Sequence, residues 1–296
     1  MPEAGRYARH EWLVAPVRAR AEFWRLPVGL VVLAAVSMAL GTVFNLVLSL
    51  FVSPAWILAL ADGGTPGAML ALLGSFAFLV AGVAVVVRTL QRRSLGSVIG
   101  PLPLAVSQFA RTSVCLVLLM VCIAVLPPYD MGEPLQPNLT IGVWLTFLPL
   151  GVCVLLIQTG AEEILFRGYL QQSLAARFKS PLIWMGVPSA LFAIGHYVPA
   201  EAGDNAALVA IWAGLFGILM ADLTARAGTL APAIAVHMFN NFTALLIVAS
   251  PTSLNGLSLF LLPYEMSDTD ALRPWLAVDF AFMIVAWLVA RVAIRR

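Results

Sequence analysis

Charge is scarce in this chain. Only 11% of its 296 residues are Asp, Glu, Lys or Arg, 61% are hydrophobic, and the mean hydropathy is +0.95. Soluble domains carry about a quarter charged residues, so a water-soluble fold is excluded and the bilayer is the solvent. The backbone must then be satisfied within helices or a closed barrel. The apolar runs far exceed the roughly ten residues of a barrel strand. The expected fold class is therefore an all-α polytopic membrane protein without a soluble domain. Lysine is nearly absent, Lys179 standing alone against 16 arginines, a balance that suits a GC-rich bacterial genome. The three cysteines, Cys115, Cys122 and Cys153, lie in apolar runs without paired spacing. That excludes a disulfide framework, a thiolate metal site and a Cys–His nucleophile, and leaves them as small packing residues. No G-x-S-x-G occurs, and Asp130, Asp204 and Asp222 fall in loops or near a membrane surface, so no pair of facing membrane aspartates exists. A net charge of +2 is too small to imply a nucleic-acid partner.

What the chain does have is long apolar runs. They read as eight spans, at about 28–52, 67–87, 108–126, 141–165, 181–198, 206–224, 229–249 and 272–292. The first is too long for the apolar core of a signal peptide, and no cleavable signal is expected. The uncharged stretch 227–264 is too long for one span and should break at Pro251 and Asn255-Gly256. Pro127-Pro128, Pro134 and Pro137 mark an outer loop. Arg111, near the start of the third span, and Asp279 in the last sit awkwardly in this scheme. With both termini in the cytoplasm, 16 of the 17 basic residues fall on inner segments and only Arg273 on an outer one. The positive-inside rule thus puts both termini in the cytoplasm; the expected location is the cell's inner (plasma) membrane, with residues 1–26 as a cytoplasmic segment and 27–296 as a single membrane domain.

Ionisable side chains inside hydrocarbon cost several kcal/mol and mark function. Glu162, Glu163 and Arg167 follow an uncharged stretch, and two of the three histidines, His196 and His237, also fall in spans. Adjacent carboxylates point about 100° apart on a helix. Glu163 and Arg167, at i and i+4, are expected to form a structural ion pair, which leaves Glu162 free for chemistry on the face it shares with Gln158 and Phe166. The alternative is that all three pair with neighbouring helices for structure alone. His237 and Asn241 share one face of the seventh span. Taken singly, each histidine also reads as a hydrogen-bonded interior residue.

Depth shows whether these groups can meet. Glu162 and His196 are each 17 residues from Lys179, at the turn between spans four and five. Both then lie about 26 Å from that turn. His237 is ten residues from the turn near Ala227, or about 15 Å. The levels agree if the first hairpin projects further into the cytoplasm, with Gln171, Gln172, Ser173, Arg177 and Lys179 in water.

Three motifs then appear in order. Glu162-Glu163-Ile164-Leu165-Phe166-Arg167-Gly168 resembles E-E-x-x-F-R-G, Phe192 to His196 resembles F-x-x-x-H, and His237 to Asn241 resembles H-x-x-x-N. These are similar to the signatures of the CPBP (CAAX protease and bacteriocin-processing, or ABI) family, which includes the type II CAAX prenyl endopeptidases. The resemblance covers about residues 141–250. It implies an intramembrane endopeptidase in which Glu162 activates water with help from His196, while His237 and Asn241 stabilise the oxyanion. Its partners would be a peptide or membrane-protein substrate and the lipid bilayer. No cofactor is expected. Zinc held by Glu162, His196 and His237 is the alternative, although H-E-x-x-H is missing. The competing functional reading is a non-catalytic scaffold or bacteriocin-immunity protein of the same fold. The small residues Ala210, Gly214, Gly217 and Ala221 of span six would serve either. A transporter, with the buried charges as an ion path, is disfavoured by the lack of an inverted repeat.

Overall fold

A computed structural model describes residues 5–126 and 133–295. Asp130 and the Pro127-Pro128 pair assigned to an outer loop lie outside the described residues. The helices are α1 (Glu11–Arg18), α2 (Arg25–Leu48), α3 (Pro54–Ala59), α4 (Pro66–Ser75), α5 (Ala77–Thr89), α6 (Leu95–Ile99) and α7 (Leu102–Ala124). They continue with α8 (Ile141–Glu163), α9 (Gln171–Arg177), α10 (Pro181–Gly195), α11 (Pro199–Ala202), α12 (Ala206–Ala227), α13 (Ala231–Phe242) and α14 (Thr269–Ala293). Two π-helical turns, Ile164–Leu170 and Thr243–Ile247, extend α8 and α13. The chain is an all-α polytopic membrane protein.

Among the described residues, six helices are long and apolar enough to cross a membrane: Arg25–Leu48, Pro66–Thr89, Leu102–Ala124, Ile141–Arg177, Pro199–Ala227 and Thr269–Ala293. The fifth and seventh predicted spans are the shorter apolar helices Pro181–Gly195 and Ala231–Ile247. The third span begins earlier than expected, at Leu102, because Pro101 and Pro103 favour a helix start there. Arg111 consequently lies a little over two turns into that helix, exposed on its surface. Beyond Ile247 the chain leaves its helix in the stretch that the proline and Asn-Gly signals marked. Strands β1 (Gln136–Pro137), β2 (Val248–Ala249) and β3 (Phe260–Leu261) make a small sheet in the order β1-β3-β2. Gly256 lies so close to the turn at Gly63–Thr65 that a Cβ would stand 2.3 Å from the Thr65 carbonyl oxygen.

Short α13 is the centre of the molecule, packed against α7, α8, α12 and α14. Helix α10 lies along α12. Their close contact follows from the small face of α12, where Gly214 meets Ala193 and Gly217 meets Ser189. A Cβ on Gly217 would stand 2.8 Å from that of Ser189.

The lower end of the α8–α9 rod corrects one expectation. Gln171 and Gln172 are fully buried rather than in water, and Ser173 is half-buried. The amphipathic α1, with Leu13, Val14 and Val17 inward, packs against α9, so the amides meet protein. Gln171 donates to the Ala221 carbonyl and approaches His10 Nε2 at 3.3 Å. Gln172 donates to the Val98 carbonyl and accepts from the buried Arg93. His10 also packs on the Trp184 ring, and burial pulls its imidazole down to about 4. Arg177 and Lys179 are exposed as expected. Nearby, Asp222 accepts from Tyr7, Arg226 and Trp287, tying the N-terminal segment to α12 and α14.

Candidate active site

The E-E pair closes α8, and the π-helical turn follows at once. Wide turns of this kind are rare and concentrate at functional sites. The second one follows directly on the H-x-x-x-N segment. Two of the three helices that carry motif residues, α8 and α13, therefore change winding beside the site.

Glu163 is fully buried and its Oε1 accepts from two partners, Arg167 Nη1 at 2.9 Å and His237 Nδ1 at 2.8 Å. Arg167, 1% exposed, also donates through Nη2 to the Gly217 carbonyl at 3.1 Å. The glycine that lets α10 and α12 approach thus also offers its backbone to the arginine. Phe192 lies across the guanidinium, 5.0 Å from ring centroid to Cζ. This contact adds cation–π attraction in a dry setting.

Glu162 keeps a 15% exposed side chain. Its Oε1 accepts from Gln158 Nε2 at 2.8 Å, and its Oε2 lies 3.4 Å from His237 Nε2. His237, 4% exposed, is therefore flanked by carboxylates at both ring nitrogens. The ring is walled by Phe192 and Phe216, with centroids 6.0 and 5.0 Å away. Asn241, one helical turn on, donates to Gln158 Oε1 at 3.0 Å and accepts from Asn240 at 3.1 Å.

Five of the six residues chosen from the sequence, Glu162, Glu163, Arg167, His237 and Asn241, form one cluster, to which Gln158 also belongs. His196 stands one ring away. Helix α10 ends at Gly195, which makes His196 its C-terminal cap. Its Nδ1–H donates to the Phe192 carbonyl at 2.8 Å, leaving the Nε2 lone pair available as a base. The ring rests on Phe192, 4.3 Å away, and that phenyl also touches His237. Sequence reasoning missed the His237–Glu163 contact and gave Gln158 no part; the i, i+4 spacing of Gln158 and Glu162 was the available signal. Among the described residues, no three side chains of His, Cys, Asp or Glu come together as metal ligands. Glu162, His196 and His237 therefore do not form a ready zinc set.

Residues 144–243 match the family model described as Rce1-like, type II CAAX prenyl endopeptidase. The match takes in all three motifs and bears out the resemblance read from them, over 100 of the 296 residues. The Rce1-like segment runs from α8 through α13 to the second π turn, so it contains every residue of the cluster. Helices α1 to α7 and α14 lie outside it. The Bacillus subtilis (strain 168) protein described as "Uncharacterized protein YyaK" is 29% identical over 118 residues. That alignment spans 38% of this chain and 38% of the relative. No solved structure matches the chain.

Proposed function

We propose that this protein is an intramembrane endopeptidase that hydrolyses a peptide bond without metal. One observation carries the reading. Glu163 is committed to Arg167 and His237, whereas Glu162 presents its Oε2 beside His237, whose ring packs against Phe192 and Phe216. Glu162 takes a proton from water, and the resulting hydroxide oxygen bonds to the peptide carbonyl carbon. The carbonyl π electrons move to oxygen, and that oxyanion accepts from Asn241 Nδ2–H and His237 Nε2–H. Collapse of the intermediate breaks the C–N bond, with a proton passed from Glu162, assisted by His196, to the leaving nitrogen.

Substrates would be peptides or membrane proteins, with both termini of the enzyme in the cytoplasm of a bacterial inner membrane. Membranes from cells carrying the wild type or Glu162→Ala are compared by mass spectrometry, with protein abundance matched. At least one membrane polypeptide should accumulate uncut in the variant, and its cleavage by wild-type membranes should persist in chelator. Identical membrane peptide profiles would overturn the reading, and loss of cleavage in chelator would overturn its metal-free form.

A further inference from the structure

We propose that Gln158 is a positioning residue that locks the base and the oxyanion donor into one geometry. The proposal rests on the endopeptidase reading above. Gln158 is 6% exposed and lies one helical turn before Glu162. Its Nε2 donates to Glu162 Oε1 at 2.8 Å, and its Oε1 accepts from Asn241 Nδ2 at 3.0 Å. Asn240 Nδ2 in turn donates to Asn241 Oδ1 at 3.1 Å. The donors therefore run in one direction, from Asn240 through Asn241 and Gln158 to Glu162, across the gap between α13 and α8.

Only a carboxamide of this length can hold both ends. It offers a donor to the carboxylate and an acceptor to the asparagine, whereas a carboxylate would repel Glu162 and a hydrocarbon would serve neither. The chain settles which atoms are left for chemistry. Glu162 Oε1 is turned to Gln158, which aims Oε2 at His237. Asn241 Oδ1 is occupied and one Nδ2 hydrogen is used, so its remaining N–H is left for the oxyanion and the amide cannot turn over. Base and oxyanion donor come from different helices, and Gln158 is the side chain that joins them. Small losses of alignment between such groups cost about 100-fold in rate.

The test has two parts, both on the full-length protein in nanodiscs or native membranes. First, protein labelled with 15N at its six asparagines is examined by NMR, with Asn241→Ala to assign the Asn241 side-chain amide. In Gln158→Leu that amide should shift upfield and exchange faster with water, and Gln158→Glu, which keeps an acceptor, should restore much of its shift. An Asn241 amide identical in the wild type and Gln158→Leu overturns the proposal. Second, the polypeptide that accumulates in Glu162→Ala membranes serves as the probe. Gln158→Leu should lower kcat by about 10- to 100-fold with KM within about twofold and abundance at the wild-type level. Adding Gln158→Leu to Asn241→Ala should cost less rate than Gln158→Leu costs in the wild type, since the Asn241 half of the bridge is already gone; an equal cost would show that Gln158 does not act through Asn241. Wild-type kcat in Gln158→Leu, while Glu162→Ala is inactive, sinks the role of Gln158 alone. If Glu162→Ala cuts as well as the wild type, the endopeptidase reading falls, and the catalytic role of Gln158 with it.

Discussion

Two neighbouring glutamates meet one imidazole, yet only one of them is bonded to the guanidinium of Arg167. Glu163 shares Oε1 between Arg167 and His237 in a fully buried setting, while Glu162 hydrogen-bonds a neutral amide and keeps some exposure. Removing the cation should therefore expose the cost of the buried acid. Arg167→Leu is expected to destabilise the protein by about 3–5 kcal/mol, the range for breaking a buried pair on one side. Its thermal unfolding midpoint in detergent should fall, and Glu163→Gln added to it should recover part of the loss. An unchanged midpoint for Arg167→Leu would show that Glu163 does not depend on the arginine. The Glu163–Arg167 spacing was legible because helical geometry alone makes i and i+4 neighbours. Contact of Glu163 with His237 was not, because it spans 74 residues and depends on how α13 packs on α8. His196 shows the same limit: depth arithmetic put it level with Glu162, but only the end of α10 at Gly195 decides where the ring turns.

Among the elements, α1 and the turn before it depart furthest from a reading by composition. Five arginines by residue 25 mark residues 1–26 as a cytoplasmic segment, and composition gives no sign that buried His10 and the bond of Tyr7 to Asp222 pin it to the helices. The polar amides of α9 looked like water-facing residues because their partners are remote in sequence. Burial holds His10 at about 4, below the ordinary value of 6.5. A depressed histidine is neutral in the folded protein, so its contribution is complete above pH 6.5 and is lost as pH falls from 6.5 towards 4. The stake is roughly 3 kcal/mol from a shift of this size. The thermal midpoint should thus drop across that window in the wild type and change less in His10→Phe. Equal pH dependence in both proteins would show that His10 does not carry it.

At the scale of the whole molecule, hydropathy located all eight apolar helices, because long uncharged runs have no other stable form in lipid. It could not show that two of them are short, since Pro181–Gly195 and Ala231–Ile247 gain their setting from the six longer helices around them. Charge asymmetry also sets an orientation that labelling can check. In a variant lacking the three native cysteines, Asp62→Cys and Glu265→Cys should react with a membrane-impermeant maleimide on intact cells. Arg88→Cys and Lys179→Cys should react only after permeabilisation. The reverse pattern would invert the proposed topology.

The wide turn at Ile164–Leu170 splits one rod into two registers. Deleting a single residue from it, so that the winding becomes regular, would leave Glu162 and Glu163 in place but swing everything downstream by about 100°. Gln171 and Gln172 would then turn away from Ala221 and Val98, the carbonyls they now hold. The upstream half of this rod is phased by the contacts of Glu162 and Glu163 with His237 and the downstream half by its anchorage, and the extra residue lets one continuous helix obey both.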